Sequence, residues 1–203
     1  MNTMEHSRRE FFQRAIALTL LNKSQFINAG ETPENSISKI RSRLRTIQLQ
    51  ENKNHKVERW ISSISENSTW SDINYADRSI GNWLPIEHLI RIKRISASIF
   101  TLQNQKTQQE ALRIIDSGLQ KWIEINPSSD NWWHNTIGQQ LQICAILIMT
   151  QGNISEKTLN SSLAKLTVPN QIPEDRKTAQ NLIWYVTQQL YRGVLTNSAE
   201  DIK

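Results

Sequence analysis

An all-α fold of antiparallel helical hairpins is what the sequence predicts, on three observations. Apolar residues recur three and four apart along most of the chain, and no segment alternates with the period of two of a half-buried strand. Glycine numbers 6 and proline 5 among 203 residues, too few for a turn-rich sandwich or barrel. The polar stretches between the periodic segments are short, so consecutive helices are expected to lie side by side.

The elements follow in order. Residues 36–50 carry Ile37, Ile40, Leu44 and Ile47 on one helical face, with Arg41, Arg43 and Arg45 off that stripe and read as solvated. Val57, Trp60, Ile61 and Ile64 repeat the spacing, and a stretch without clear period follows to Tyr75. Pro85 suits the first turn of a helix over 85–103, where its missing N–H costs nothing; Leu89, Ile92, Ile95, Ile99 and Leu102 line it. Ala111, Ile115, Leu119 and Trp122 mark a helix over 106–125, which Asn126 and Pro127 stop. Ile137, Leu141, Ala145 and Ile148 mark 132–150. Ser155 is a helix start, continued by Leu159, Leu163 and Leu166. After a loop with Pro169 and Pro173, a last helix over 176–195 carries Leu182, Val186, Leu190 and Val194 at steps of four.

Composition removes several function classes. Lysine and arginine number 24 against 19 acidic residues, a net charge of +5. The basic residues are dispersed and the tryptophans are not interleaved with them, which argues against a nucleic-acid partner. No run reaches the ~18 consecutive apolar residues of a membrane span. A single cysteine, Cys144, excludes an intrachain disulfide and a Cys-based zinc site; among Ile143, Ala145 and Ile146 it reads as a buried, inert thiol. The four histidines lack metal-ligand spacing and there is no Gly-rich phosphate loop, so no metal or cofactor is expected. His88 reads as a surface or helix-packing residue rather than a base.

The N-terminus reads as an export signal. Arg8 and Arg9 precede Phe11 and Phe12, and an apolar run over 15–21 follows. This resembles a twin-arginine signal over residues 1–29, which implies a periplasmic or extracellular protein; the alternative is an amphipathic helix. Residues 30–203 are then the mature domain.

Three segments are richer in aromatics and amides than a helical core requires: 70–75, 131–138 and 178–181. Trp132 and Trp133 are adjacent, and neighbours on a helix point about 100° apart, so both cannot face the core. Exposed indoles beside Asn131 and Asn135 make a sugar-binding surface, the ring stacking on a pyranose face and the amides bonding hydroxyls. The alternative is two structural tryptophans anchoring a helix end.

In order, W-x-D-I-N-Y at 70–75, R-I-x-x-I-S-A from Arg91, W-x-x-x-N-P from Trp122, N-W-W-x-N-x-I-G from Asn131 and T-x-x-N from Thr178 resemble polysaccharide lyase family 8. The resemblance runs from about Trp70 to the C-terminus, and more weakly from about Ser36. It implies part of an incomplete α/α toroid with a substrate cleft, and an acidic polysaccharide (hyaluronan, chondroitin or xanthan) as partner. By resemblance, Trp132 and Trp133 match the aromatic patch that seats the polymer, flanked by Asn131 and Asn135. Asn181 matches the catalytic asparagine that binds the uronate carboxylate, and Arg91 a position that contacts the polyanion.

The chain also departs from that pattern. No histidine follows His134, so the family's catalytic His has no counterpart, and Tyr185 and Tyr191 stand at the wrong place for its catalytic Tyr and read as packing residues. Thr136, Gln140 and Ala179 replace the usual Glu, Pro and Gly. The expectation is a truncated or split lyase-like chain, inactive alone, whose missing groups a second polypeptide would carry. A non-catalytic acidic-glycan-binding module and a helical interaction protein are the alternatives. A partial ring is also expected to leave an apolar face uncovered and to promote association.

Overall fold

The computed structural model describes residues 32–52, 57–167, 172–176 and 179–198; the expected export signal lies outside them. Among these residues there are seven α-helices and no strand: α1 (Pro33–Asn52), α2 (Val57–Ser63), α3 (Ile86–Ser98), α4 (Gln105–Ile125), α5 (Gln139–Thr150), α6 (Glu156–Leu163) and α7 (Ala179–Thr196). The ends obey local chemistry. The Asn104 side chain accepts from the Lys106 N–H and caps α4, and Asn126 closes it in the left-handed region, its N–H bonded back to Trp122. Ser155 caps α6 by accepting from the Thr158 N–H.

The helices stack in two rows. α3 and α4 form a close hairpin, and beyond it helices two apart in sequence pack together: α3 on α5, α5 on α7, α4 on α6. The expectation that all consecutive helices are neighbours therefore fails for α1–α2, α5–α6 and α6–α7, and also for α4 and α5. The last two meet at their ends, where the Trp122 indole donates to Gln139. α5 is the central rod: Ile143 through Met149 are all buried, as for a helix surrounded on every side. α3 approaches α4 at Gly118, where a Cβ would lie 2.6 Å from Ile92 Cδ1.

Two expectations change. Arg41 is not solvated: its guanidinium donates to the Val194 carbonyl (2.6 Å) and to Asn197 (3.1 Å), clamping α1 onto the end of α7. Arg45 lies over the Phe100 ring. On α7 the buried line is Trp184, Gln188, Tyr191 and Leu195, whereas Leu182 and Val186 face solvent. A stripe at steps of four turns about 40° per step on a helix of 3.6 residues per turn. Leu182 and Val194 therefore point in different directions, and only the latter is inside.

Candidate functional site

The site is assembled from two stapled loops. The Asp130 N–H donates to the Arg78 carbonyl, and the Arg78 guanidinium grips Asp130 Oδ1 at 2.6 Å. Ser129 Oγ donates to the Ser79 carbonyl, Asn131 Nδ2 to the Ile80 carbonyl and His134 Nε2 to the Gly81 carbonyl. The segment 128–134 is thus held against 78–81 before the helix begins.

The helix expected over 132–150 is continuous, and it carries one π-type turn, His134–Gly138, between Trp133 and α5. Such widened turns recur at functional sites because they free a carbonyl and re-aim side chains. Here the Thr136 carbonyl accepts from buried Gln188 on α7 (3.1 Å). The Trp133 ring rests on Gly138, where a Cβ would lie 2.8 Å from Trp133 Cζ3. Only glycine admits that indole.

Trp132 and Trp133 are both half-buried against a small apolar cluster of Ile137, Ile172, Trp184 and Tyr185, separate from the main core. Trp133 meets Trp184 edge-on at 5.2 Å. Trp132 carries the Arg176 guanidinium over its ring, 4.6 Å from the centroid. Asn181, in the first turn of α7, lies three residues before Trp184 and so on the same helical face. It is half-buried, and its amide bonds no described residue.

The other sequence candidates are engaged within the chain. Asn131 Oδ1 accepts from the Trp133 N–H (3.0 Å), so its amide pins the helix start as well as Ile80. Asn135 closes on Ser129 at both ends, its Oδ1 accepting from the N–H and its Nδ2 donating to the carbonyl. Arg91 is paired in a bidentate manner with Asp72 (2.8 and 2.6 Å) and lies over Trp70. That pairing holds the Arg91 guanidinium above, and the Asp72 carboxyl below, their ordinary pKa.

The described histidines are built into the scaffold. Ring contacts run from Tyr75 and Trp70 through His88, Trp122, Trp83, His134 and Trp133 to Trp184. His88 is fully buried. Its Nε2 meets the Gly118 carbonyl at 2.9 Å, an acceptor only, so Nε2 carries the proton and Nδ1 accepts from the Tyr75 hydroxyl. Burial pushes its pKa down to about 4. His134 is likewise buried; its Nδ1 has no partner, and burial lowers its pKa. Tyr185 and Tyr191 are packing residues, the latter accepting from Gln48 through its hydroxyl. Cys144 is fully buried, its thiol pushed up to about 12. Among the described residues no acidic, His or Cys cluster is arranged to hold a metal ion.

Residues 31–203 match the polysaccharide lyase family 8, N-terminal alpha-helical domain. The chain belongs to polysaccharide lyase family 8. It is 28% identical to chondroitinase-AC of Pedobacter heparinus over 143 residues, covering 69% of this chain and 20% of that protein. A solved structure of chondroitinase AC lyase shares the fold with a TM-score of 0.65 at 20% identity, over 80% of this chain and 25% of that one. The chain therefore spans about a fifth of the length of the curated relative it matches. The two-row helical packing is that of the family 8 helical toroid.

Within this family 8 domain the departures noted from sequence have local consequences. Gln140 clips the segment after α6, donating to the Thr167 hydroxyl (2.6 Å) and accepting from its N–H (2.8 Å). Thr136 donates to the Trp132 carbonyl. Ala179 stands at φ +44°, where the family's glycine would be unstrained and an alanine costs about 1–2 kcal/mol. Sequence reasoning missed Arg176 and Trp184. Trp184 was legible in principle, three residues from Asn181 on one helix. Arg176, in a short turn after Pro173, carried no signal.

Proposed function

We propose that this chain is the polymer-seating part of a family 8 lyase that cleaves a uronic-acid polysaccharide by β-elimination. The observation that carries the reading is the unengaged amide of Asn181, one helical turn from Trp184, which packs on Trp133. Trp132 and Trp133 supply stacking faces for pyranose rings. Asn131 and Asn135 hold that pair in place, with one N–H and one lone pair each left toward a sugar. Arg91, held by Asp72 over the Trp70 ring, meets the polyanion only by giving up part of that ion pair.

The chemistry explains an unpaired amide. Elimination removes the proton at C5 of a uronate, which is weakly acidic while the neighbouring carboxylate is charged. Hydrogen bonds from the Asn181 amide disperse that charge and the enolate-like charge that develops. A base within about 3 Å must then take the proton and an acid must protonate the leaving oxygen. His88 and His134 are buried in the scaffold and Tyr185 is a packing residue, so the described residues offer no such base beside Asn181. The 203 residues alone are therefore inactive in this reading, and the base and acid come from the part of a family 8 lyase that these residues do not span. Export through residues 1–29, with 30–203 as the acting domain, belongs to the same reading and accords with a polymer that cannot enter the cell.

Two measurements test it. Calorimetry with hyaluronan should show Trp133→Ala weakening binding by roughly 1–3 kcal/mol; equal binding by wild type and a Trp132/Trp133 double alanine variant sinks the idea. Ultraviolet absorbance of unsaturated uronate should stay flat with the chain alone on hyaluronan, chondroitin and xanthan. Product formed by the chain alone, and abolished by Asn181→Ala, overturns the inactivity. Binding without product when the remainder of a family 8 lyase is added favours the non-catalytic glycan-binding module instead.

A further inference from the structure

We propose that Arg176 makes the Trp132 platform selective for charged sugars, a role that rests on the acidic-polysaccharide reading above. Its guanidinium lies 4.6 Å from the Trp132 ring centroid, in the place where the apolar face of a pyranose would stack. Among the described residues no ion pair to a carboxylate is formed by it. It is a guanidinium on an aromatic face, five residues before Asn181, whose amide bonds no described residue.

The two occupants of that face compete. The cation–ring contact is weak at an exposed site, whereas a carboxylate offers a guanidinium two parallel charge-assisted hydrogen bonds. A uronate therefore draws Arg176 off the indole and onto its own carboxylate, and the sugar ring takes the vacated face. A neutral sugar must displace the cation with nothing to hold it. The same side chain covers the platform when empty and reads the charge of what fills it. The turn Glu174–Arg176 that carries that side chain buries none of its own residues.

The test compares a hyaluronan oligosaccharide with the same oligosaccharide carboxyl-reduced to a neutral one. Wild type should prefer the acidic form. Arg176→Gln should bind the acidic form about tenfold more weakly, the factor expected for losing one charge-assisted hydrogen bond. It should bind the neutral form equally or more tightly, and Arg176→Lys should keep part of the preference. If Arg176→Gln weakens both oligosaccharides alike, or weakens neither, while the Trp132/Trp133 double alanine variant loses binding, the role of Arg176 is overturned and the aromatic reading stands. A wild type with no affinity for the acidic oligosaccharide overturns both.

Discussion

His88 shows how a titratable residue can be structural and still govern stability. Both ring nitrogens are satisfied, by Gly118 and Tyr75, and the imidazole is wholly buried and neutral. Its pKa is about 4 in the folded chain against 6.5 when exposed. Between these values the unfolded chain binds the extra proton, so stability is fully present above pH 6.5 and is lost as pH falls through 4. At 1.36 kcal/mol per unit the loss is about 3 kcal/mol. Urea unfolding followed from pH 7 to 4 should show it, and His88→Gln, uncharged throughout, should flatten the profile. His134 adds a smaller loss of the same sign, because burial lowers its pKa as well. An unchanged acid limb in His88→Gln would place the sensitivity elsewhere.

At the scale of elements, polar side chains decide how the helices dock. α1 reaches α7 through Arg41, whose guanidinium satisfies the Val194 carbonyl and Asn197 near the end of that helix. A cation there also opposes the negative end of the helix dipole. Arg41→Ala should cost about 1.5–3 kcal/mol, the range for hydrogen bonds to a charged group. Thermal unfolding measures it. Ser38→Ala on the same helix, exposed, is the comparison and should cost less. The π-type turn ahead of α5 is the second such device. There Trp133 lies on Gly138, and Trp132 stands beside the turn that carries Arg176.

For the whole molecule, the question is where the stack of helices stops. α7 packs on α5 and α1, but its opposite side presents Leu182 (46% exposed), Ile183 (40%) and Val186 (59%). These three share the outward side of α7, next to the site. In a ring of helices, that side is where a following hairpin would pack. Sedimentation velocity should show the isolated chain associating with rising concentration. Leu182→Glu with Val186→Lys should restore a monomer and leave the unfolding midpoint nearly unchanged, since exposed side chains contribute little to the fold. A strictly monomeric wild type would show that the face is tolerated as it is.

The sequence by itself determined the class and, among the described residues, the number of helices and most of their ends. Periodicity, Ser155, Asn126 and Pro85 act through backbone geometry and hydrogen bonds within a few residues. It also carried the family, because N-W-W-x-N-x-I-G records a requirement legible in one dimension: two indoles and a glycine that admits one of them. Only the tertiary structure decided what each candidate side chain does. Asn131, Asn135 and Asn181 are chemically identical in sequence, yet two amides close loops and the third bonds no described residue. Arg91 and Arg176 are equally basic, but Asp72 reaches one and Trp132 the other. The stripe on α7 was misread because periodicity marks directions around a helix and not what lies in each direction. Partners distant in sequence choose among those directions, and packing sets which of them are present.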